Sequence, residues 1–360
     1  MRFLGSLSRP LVRASGSRIA ASPARVQPPK LPRFRRHTSS TASHEPEQAE
    51  PSEHDLRYGY YDVILPEEPY VWGTSHIIPR GVPPHIRRPP YVPDRVNPEA
   101  STPEEGPAAT ARKLITDTED LVRLRRAAQL AAKTLQFAGT LVQVGITTDK
   151  LDAEVHEFIL AHGAYPSPLG YKGFPKACCT SVNNIVAHGI PDDRPLQDGD
   201  IVNVDVTVYL DGFHGDTSKT FLIGDVDEKG RELVSVTEAA LEAGIAVCGP
   251  GRPFKGIAQA IREVIRGKDF SVSPMFTGHG IGREFHRRPW IYHDVNHEPG
   301  VMEPGDCFTI EPAVVQGDDP SAVTYPDGWT VSTENCARSA QAEHMVLITD
   351  VGAEVLTRPT

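Results

Sequence analysis

The sequence predicts an α+β protein, and three observations carry that prediction. Four segments beyond residue 115 show helix signals, two alternating runs meet at a hairpin turn, and a short internal echo repeats a Gly-Asp turn with a carboxylate five residues after its Asp. The 360 residues are 39% hydrophobic and 23% charged, a globular composition long enough for one large domain or two ordinary ones. No apolar run approaches membrane-spanning length. The five cysteines, Cys178, Cys179, Cys248, Cys307 and Cys336, contain no C-x-x-C spacing, so a reducing interior fits better than a disulfide framework.

Charge divides the chain first. Residues 1–44 carry eight Arg and one Lys with no Asp or Glu, which leaves about −19 on the remainder of a chain whose net charge is −10. Arg2, Arg9 and Arg13 fall on one side of a helical projection and Leu4, Leu7 and Leu11 on the other, with Pro10 as an interruption. This Arg- and Ser-rich start has the character of a mitochondrial transit peptide; a basic tail is the alternative. Residues 45–112 are rich in Pro, Glu and Ser and show no period able to build a core, which reads as a linker ending in an extended, proline-stiffened arm. A folded domain is expected over 113–360.

Within that domain Thr116-Asp117-Thr118-Glu119 has the spacing of a capping box and predicts a helix to about Gly139. Leu151, Val155, Phe158 and Ile159 predict a second over about 148–163, and two more are expected at about 228–247 and 253–266. Strands are expected at 201–210, 213–223, 306–315 and 343–349. The echo aligns Leu196-Gln197-Asp198-Gly199-Asp200-Ile201-Val202-Asn203-Val204-Asp205 with Met302-Glu303-Pro304-Gly305-Asp306-Cys307-Phe308-Thr309-Ile310-Glu311. Either the match is a coincidence of short length, or the domain has two related halves that each deliver a carboxylate to a shared centre.

The strand over 201–210 alternates Val202, Val204, Val206 and Val208 with Asn203, Asp205 and Thr207, so Asp205 faces away from the apolar side. Asp211-Gly212 is a strong hairpin signal. A two-residue turn there sets Leu210 opposite Phe213 and Thr207 opposite Asp216, with Asp205 diagonal to Asp216 on the same face. Two carboxylates converging on one apolar-backed site repel each other, and a divalent cation removes the conflict. Taken alone, such a pair is as readily a solvated strand face. Three further segments bring ligand-type residues among small or apolar neighbours: Gly278-His279-Gly280, Ile310-Glu311-Pro312 and Ala342-Glu343-His344. The glycines beside His279 allow close backbone approach and unusual dihedrals. Four carboxylates and one imidazole suit paired Mn, Fe, Co or Zn ions, which can hold a bridging hydroxide as nucleophile and polarise a carbonyl.

These segments, with Phe213-His214-Gly215-Asp216-Thr217-Ser218 and Ser339-Ala340-Gln341-Ala342-Glu343-His344, resemble in order the type I methionine aminopeptidases, over about 112–358. The resemblance implies the pita-bread fold, two pseudo-symmetric halves around a dinuclear site. It implies Asp205, Asp216, His279, Glu311 and Glu343 as metal ligands, with Asp216 and Glu343 bridging and Glu311 taking the proton of the attacking water. By the same resemblance His188 lies near the leaving amide and His286 against the scissile carbonyl. Tyr171, Phe174, Cys179, Phe285 and Trp329 would line a methionine pocket, an aromatic surface suited to a thioether. Pro168 and Phe174 stand where bacterial members often have Cys and Tyr, which leaves the strictness of methionine preference open.

The absence of Cys before 178 departs from the zinc region of cytosolic eukaryotic members, and the basic leader matches mitochondrial ones. The expected enzyme removes initiator methionine from N-terminal methionyl peptides and nascent proteins, preferably before a small residue, in the mitochondrial matrix. It is expected to be a monomer, with no nucleic-acid partner. Two rival readings share part of the motif frame. A proline-specific or creatinase-like hydrolase would normally carry a folded N-terminal domain, and a metal-free binding protein would not need all five ligand positions.

Overall fold

The computed structural model describes residues 51–92, 112 and 114–359. The leader over 1–44 lies outside the described residues, as does 93–111.

The four expected helices are Thr118–Leu141, Thr148–Ala161, Glu228–Ala246 and Lys255–Ile265. The first begins later than the capping-box spacing implies. Asp117 is its N-cap, accepting from the N–H groups of Glu119 and Asp120, where its charge also complements the helix N-terminus. Strands Ile201–Leu210 and Phe213–Leu222 pair in the expected register, with Thr207 opposite Asp216 and Asp205 opposite Ser218. Asp211 and Gly212, at φ 53° and 89°, supply the two positive dihedrals that a tight hairpin turn requires.

The expected strand 306–315 is instead two, Cys307–Ile310 and Ala313–Gln316, in different sheets. Pro312 has no N–H to donate to a ladder, and the Glu311 N–H goes to His293 Nε2 at 3.0 Å. The break moves the chain from one sheet to another directly at Glu311.

The architecture is two halves of like construction. In the first, helices Thr118–Leu141 and Thr148–Ala161 cover a sheet built on Ile201–Leu210, which pairs with Tyr165–Pro166, Cys179–Val182 and Phe213–Leu222. Leu151, Val155 and Ile159 pack there against Val202, Val204, Val206 and Val208. In the second, helices Glu228–Ala246 and Lys255–Ile265 pack on a five-stranded sheet that includes Thr277–Gly280, Cys307–Ile310 and His344–Ile348. Gly215 lets the first helix approach closely, since a Cβ there would sit 2.3 Å from the Ala127 carbonyl oxygen.

The echo proves to be structural. Asp200 and Asp306 are both fully buried and accept from the N–H three residues before them, Gln197 at 2.8 Å and Glu303 at 2.7 Å. Each is held by an arginine, Arg194 or Arg112. Each carbonyl receives the N–H that closes the neighbouring strand, Ile223 at 2.9 Å or Ile348 at 2.8 Å. The same turn, arginine partner and strand closure thus recur in both halves, which are alike in construction at this point.

The Pro-rich segment 51–92 contains one short helix, Glu53–Tyr58, and otherwise runs without regular structure. It nevertheless buries Tyr58, Ile86 and Val92 against the rest of the protein. Ile64 exchanges hydrogen bonds with the Asn184 side chain, and Arg338, fully buried, binds the Tyr58 carbonyl.

Candidate metal centre

The first half delivers its carboxylates from within a hairpin, and the second from residues that flank the ends of strands. Asp205 and Asp216 come from the hairpin of the first half, while His279, Glu311 and Glu343 come from the second. The structure brings all five together. Ligand atoms of Asp216, His279 and Glu343 lie within 4.8 Å of one another, and His279 Nε2 is 3.6 Å from both Asp216 and Glu311 carboxylate oxygens. Asp205 is close enough for its charge to act on Asp216, Glu311 and Glu343.

The glycines beside His279 serve close approach only. A Cβ at Gly278 would sit 2.2 Å from the Thr309 carbonyl oxygen and one at Gly280 2.2 Å from that of Arg288, so the flanking strands clamp the imidazole segment. The unusual dihedrals also expected there are not found, because both glycines keep ordinary negative φ.

Burial dominates the electrostatics of the cluster. Desolvation pushes the Asp205 carboxyl up to about 7 and Glu311 up to about 8. Asp216 and Glu343 are raised well above the usual carboxylate range by burial and then by the charges around them. Burial pulls the His279 imidazole down to about 4, so it is a neutral nitrogen donor. A set of buried carboxylates that repel one another, without a basic side chain among them, is a donor set that divalent cations satisfy.

Hydroxyl and amide groups orient these side chains. Thr207 Oγ1 donates to Asp216 at 2.6 Å. Thr309 Oγ1 accepts from the His279 N–H at 2.9 Å and donates to Glu311 Oε1 at 2.8 Å, while Gln341 Nε2 donates to Glu311 Oε2 at 3.2 Å. Thr309, Gln341 and His293 were not singled out in sequence. Nothing in their local pattern distinguishes them, because their partners lie on other strands or past the end of a strand.

The other predicted residues form two aromatic groups beside the cluster. Phe285 and His286 stack at 4.0 Å between ring centroids; His286 is 4.2 Å from His279, and Tyr171 lies 4.8 Å from Phe285 and 4.9 Å from His286. Phe174 packs edge-on to Trp329 at 5.1 Å, and Trp329 lies 5.9 Å from His188. Phe276, not anticipated, closes on His188 at 5.1 Å. Cys179 pairs opposite Asp205, and burial together with the nearby carboxylates keeps its thiol protonated. His188 holds φ 57°, a backbone strain of the kind that gathers at functional sites. Desolvation pulls its imidazole down to about 4 and that of His286 well below the usual value, so both rings are neutral.

A pita-bread fold closing on a buried carboxylate and imidazole cluster defines a metal-dependent peptidase. Comparison with known proteins agrees, since the profile of metallopeptidase family M24 matches residues 122–350. The chain is 50% identical over 277 residues to the chloroplastic methionine aminopeptidase 1B of Arabidopsis thaliana, covering 77% of this chain and 72% of that one. It is 45% identical over 298 residues to the human mitochondrial methionine aminopeptidase 1D, covering 83% and 84%. The crystal structure of methionine aminopeptidase from Rickettsia prowazekii superposes with a TM-score of 0.67 at 43% identity, covering 69% of this chain and all of that one. The chain belongs to metallopeptidase family M24 and, within it, to the type I methionine aminopeptidases in their mitochondrial form. A divalent metal is the cofactor that membership implies.

Proposed function

We propose that this metallo-aminopeptidase removes initiator methionine with two divalent ions held by Asp205, Asp216, His279, Glu311 and Glu343. The observation that carries the reading is the convergence of four mutually repelling carboxylates and a neutral imidazole from both halves of the fold. Bound divalent ions supply Lewis acidity toward water and the substrate carbonyl.

This chain's own residues do the rest. Glu311, steadied by Thr309 and Gln341, accepts the proton of the attacking water. His286, neutral and beside His279, contacts the scissile carbonyl, and His188 contacts the amide that leaves. Tyr171, Phe174, Cys179, Phe285 and Trp329 receive the methionine side chain, and their rings match a polarisable thioether. The identity of the metal among Co, Mn, Fe and Zn is set by availability as much as by this donor set.

Substrates are N-terminal peptides of nascent proteins, preferably with a small second residue, processed by a monomer in the mitochondrial matrix. Among the described residues no helix is long and apolar enough to cross a membrane.

The test is hydrolysis of Met-Ala-Ser and of an Ala-Pro peptide by the full chain, stripped with chelator and refilled with each metal. Methionine release that returns with metal supports the reading. Metal-dependent cleavage of Ala-Pro alone would move the chain to proline-specific chemistry.

A further inference from the structure

The segments that carry the pocket residues share an external support. Tyr171 and Phe174 lie on a short turn whose positive φ falls at Gly170 and Gly173, which accept it, and at Lys172, which does not favour it. Trp329 lies on the Asp327-Gly328 turn, and Cys179 begins the strand that pairs with Asp205. Residues 73–91 of the Pro-rich arm touch the first two of these segments and reach the third through Asp152. Thr74 Oγ1 donates to the Gly173 carbonyl at 3.2 Å, and the Gly73 N–H donates to the Pro326 carbonyl at 2.9 Å. Arg80 binds Asp149 and reaches Asp152, the buried carboxylate that accepts from the N–H groups of Ala177 and Cys178.

Tyr91 makes the most intimate of these contacts. Its ring stands edge-on to Tyr171 at 5.0 Å and parallel to His214 at 6.1 Å. Tyr171 and His214 both pack on Phe285, at 4.8 and 5.2 Å, so the four rings close a circuit. Its hydroxyl donates to the Ser167 carbonyl at 2.6 Å, and Ser167 Oγ is 2.9 Å from His214 Nδ1, which ties the same residue into the circuit twice. Tyr91 therefore braces both neighbours of Phe285 from a segment that precedes the family-matched residues 122–350.

We propose that the Pro-rich arm is a working wall of the methionine pocket and that Tyr91 is its positioning residue, setting Tyr171 and Phe285 at the separation the substrate side chain needs. The inference rests on the proposed pocket and adds to it a determinant outside the catalytic segment. A positioning residue of this kind acts on substrate binding more than on the reacting atoms, because it touches rings rather than the carboxylate cluster.

The experiment measures kcat, KM and bound metal for the full, metal-loaded chain and for Tyr91→Leu and Tyr91→Phe, with Met-Ala-Ser as substrate. Tyr91→Leu keeps apolar fill against Ile86 and Leu169 but loses the ring, and its KM is expected to rise about tenfold with kcat within about threefold and metal content unchanged. Tyr91→Phe keeps the ring circuit and is expected to return KM to within about threefold of wild type. Wild-type KM in Tyr91→Leu overturns the inference, as does a loss of kcat in step with a loss of metal. Should Tyr91→Leu not fold, Thr74→Val reads the same wall from the Phe174 side, with KM expected to rise about threefold and an unchanged KM counting against the proposal. No methionine release by the wild type overturns the pocket reading itself, a result distinct from a wild type that works and a Tyr91→Leu variant that matches it.

Discussion

Ser218 and Glu343 occupy equivalent positions in the two halves of the fold and are joined to each other, the Glu343 N–H donating to the Ser218 carbonyl at 3.0 Å. Each lies five residues before the isoleucine, Ile223 or Ile348, whose N–H binds the carbonyl of a Gly-Asp turn. The halves therefore meet at corresponding points, and the hairpin of one faces the strands of the other across the carboxylate cluster. Thr217 Oγ1 adds a bond to the Glu343 carbonyl at 2.8 Å, which fixes Glu343 from the opposite half. A site divided in this way depends on the register of the two halves as much as on its ligands.

The first prediction concerns the carboxylates. Asp205→Asn and Glu311→Gln each remove charge that the metals need, and each is expected to lower kcat by about 1,000-fold or more with the fold retained. Near-normal turnover in either variant with metal still bound would count strongly against the assigned roles. In chelated protein the same substitutions relieve repulsion, so thermal scans in EDTA should show the melting temperature rising by a few degrees, about the shift that 1 kcal/mol produces.

Metal removal should destabilise the protein in a pH-dependent way. Asp205 and Glu311 ionise near 3.8 and 4.5 when unfolded but are pushed to about 7 and 8 by burial in the native, metal-free state. The folded state thus binds more protons over that window, and stability is lost as pH rises from about 4 to about 8. Chelated protein is expected to melt lower at pH 8 than at pH 6, and added divalent metal to abolish most of the difference. A flat profile in EDTA would show that burial does not raise the proton affinity of these carboxylates.

Thr309 links the His279 backbone to the Glu311 carboxylate through one hydroxyl. Thr309→Val removes both bonds at nearly constant volume, and kcat is expected to fall about tenfold with KM little changed. Steady-state kinetics with Met-Ala-Ser decide it; a rise in KM alone would place the effect in the pocket.

His188 has the opposite pH behaviour. Its imidazole, near 6.5 unfolded, is pulled down to about 4, so the unfolded state takes up the proton first and stability present above pH 6.5 is lost as pH falls toward 4. The loss at pH 4 is expected to be about 1–2 kcal/mol, since the ring is only partly buried. His188→Gln should lack that portion of the acid loss, measurable as the difference in urea midpoints between pH 7 and pH 4.5.

How legible the site was depended on whether a residue's partners were local. The hairpin register, with Thr207 opposite Asp216, followed from alternation and a two-residue turn, and both are properties of adjacent residues. The five residues of the cluster stood in recognisable segments, and the structure brings them together. Thr309, Gln341, His293 and Phe276 were invisible because each meets a partner that lies on another strand or past the end of its own. The strand over 306–315 was misjudged for the same reason, since apolar alternation continues through Pro312 while the ladder does not.

By itself, then, the sequence determined the helices, the hairpin, the two Gly-Asp turns and the residue types of the centre, because periodicity, capping and turn chemistry act over a few neighbouring residues. Only the tertiary structure decided that the strand breaks at Glu311, that the glycines around His279 serve approach rather than dihedral freedom, and that a segment without periodicity lays Tyr91 against Tyr171. Those outcomes depend on surfaces far apart in the chain, where burial and the saturation of polar groups, rather than local preference, settle the arrangement.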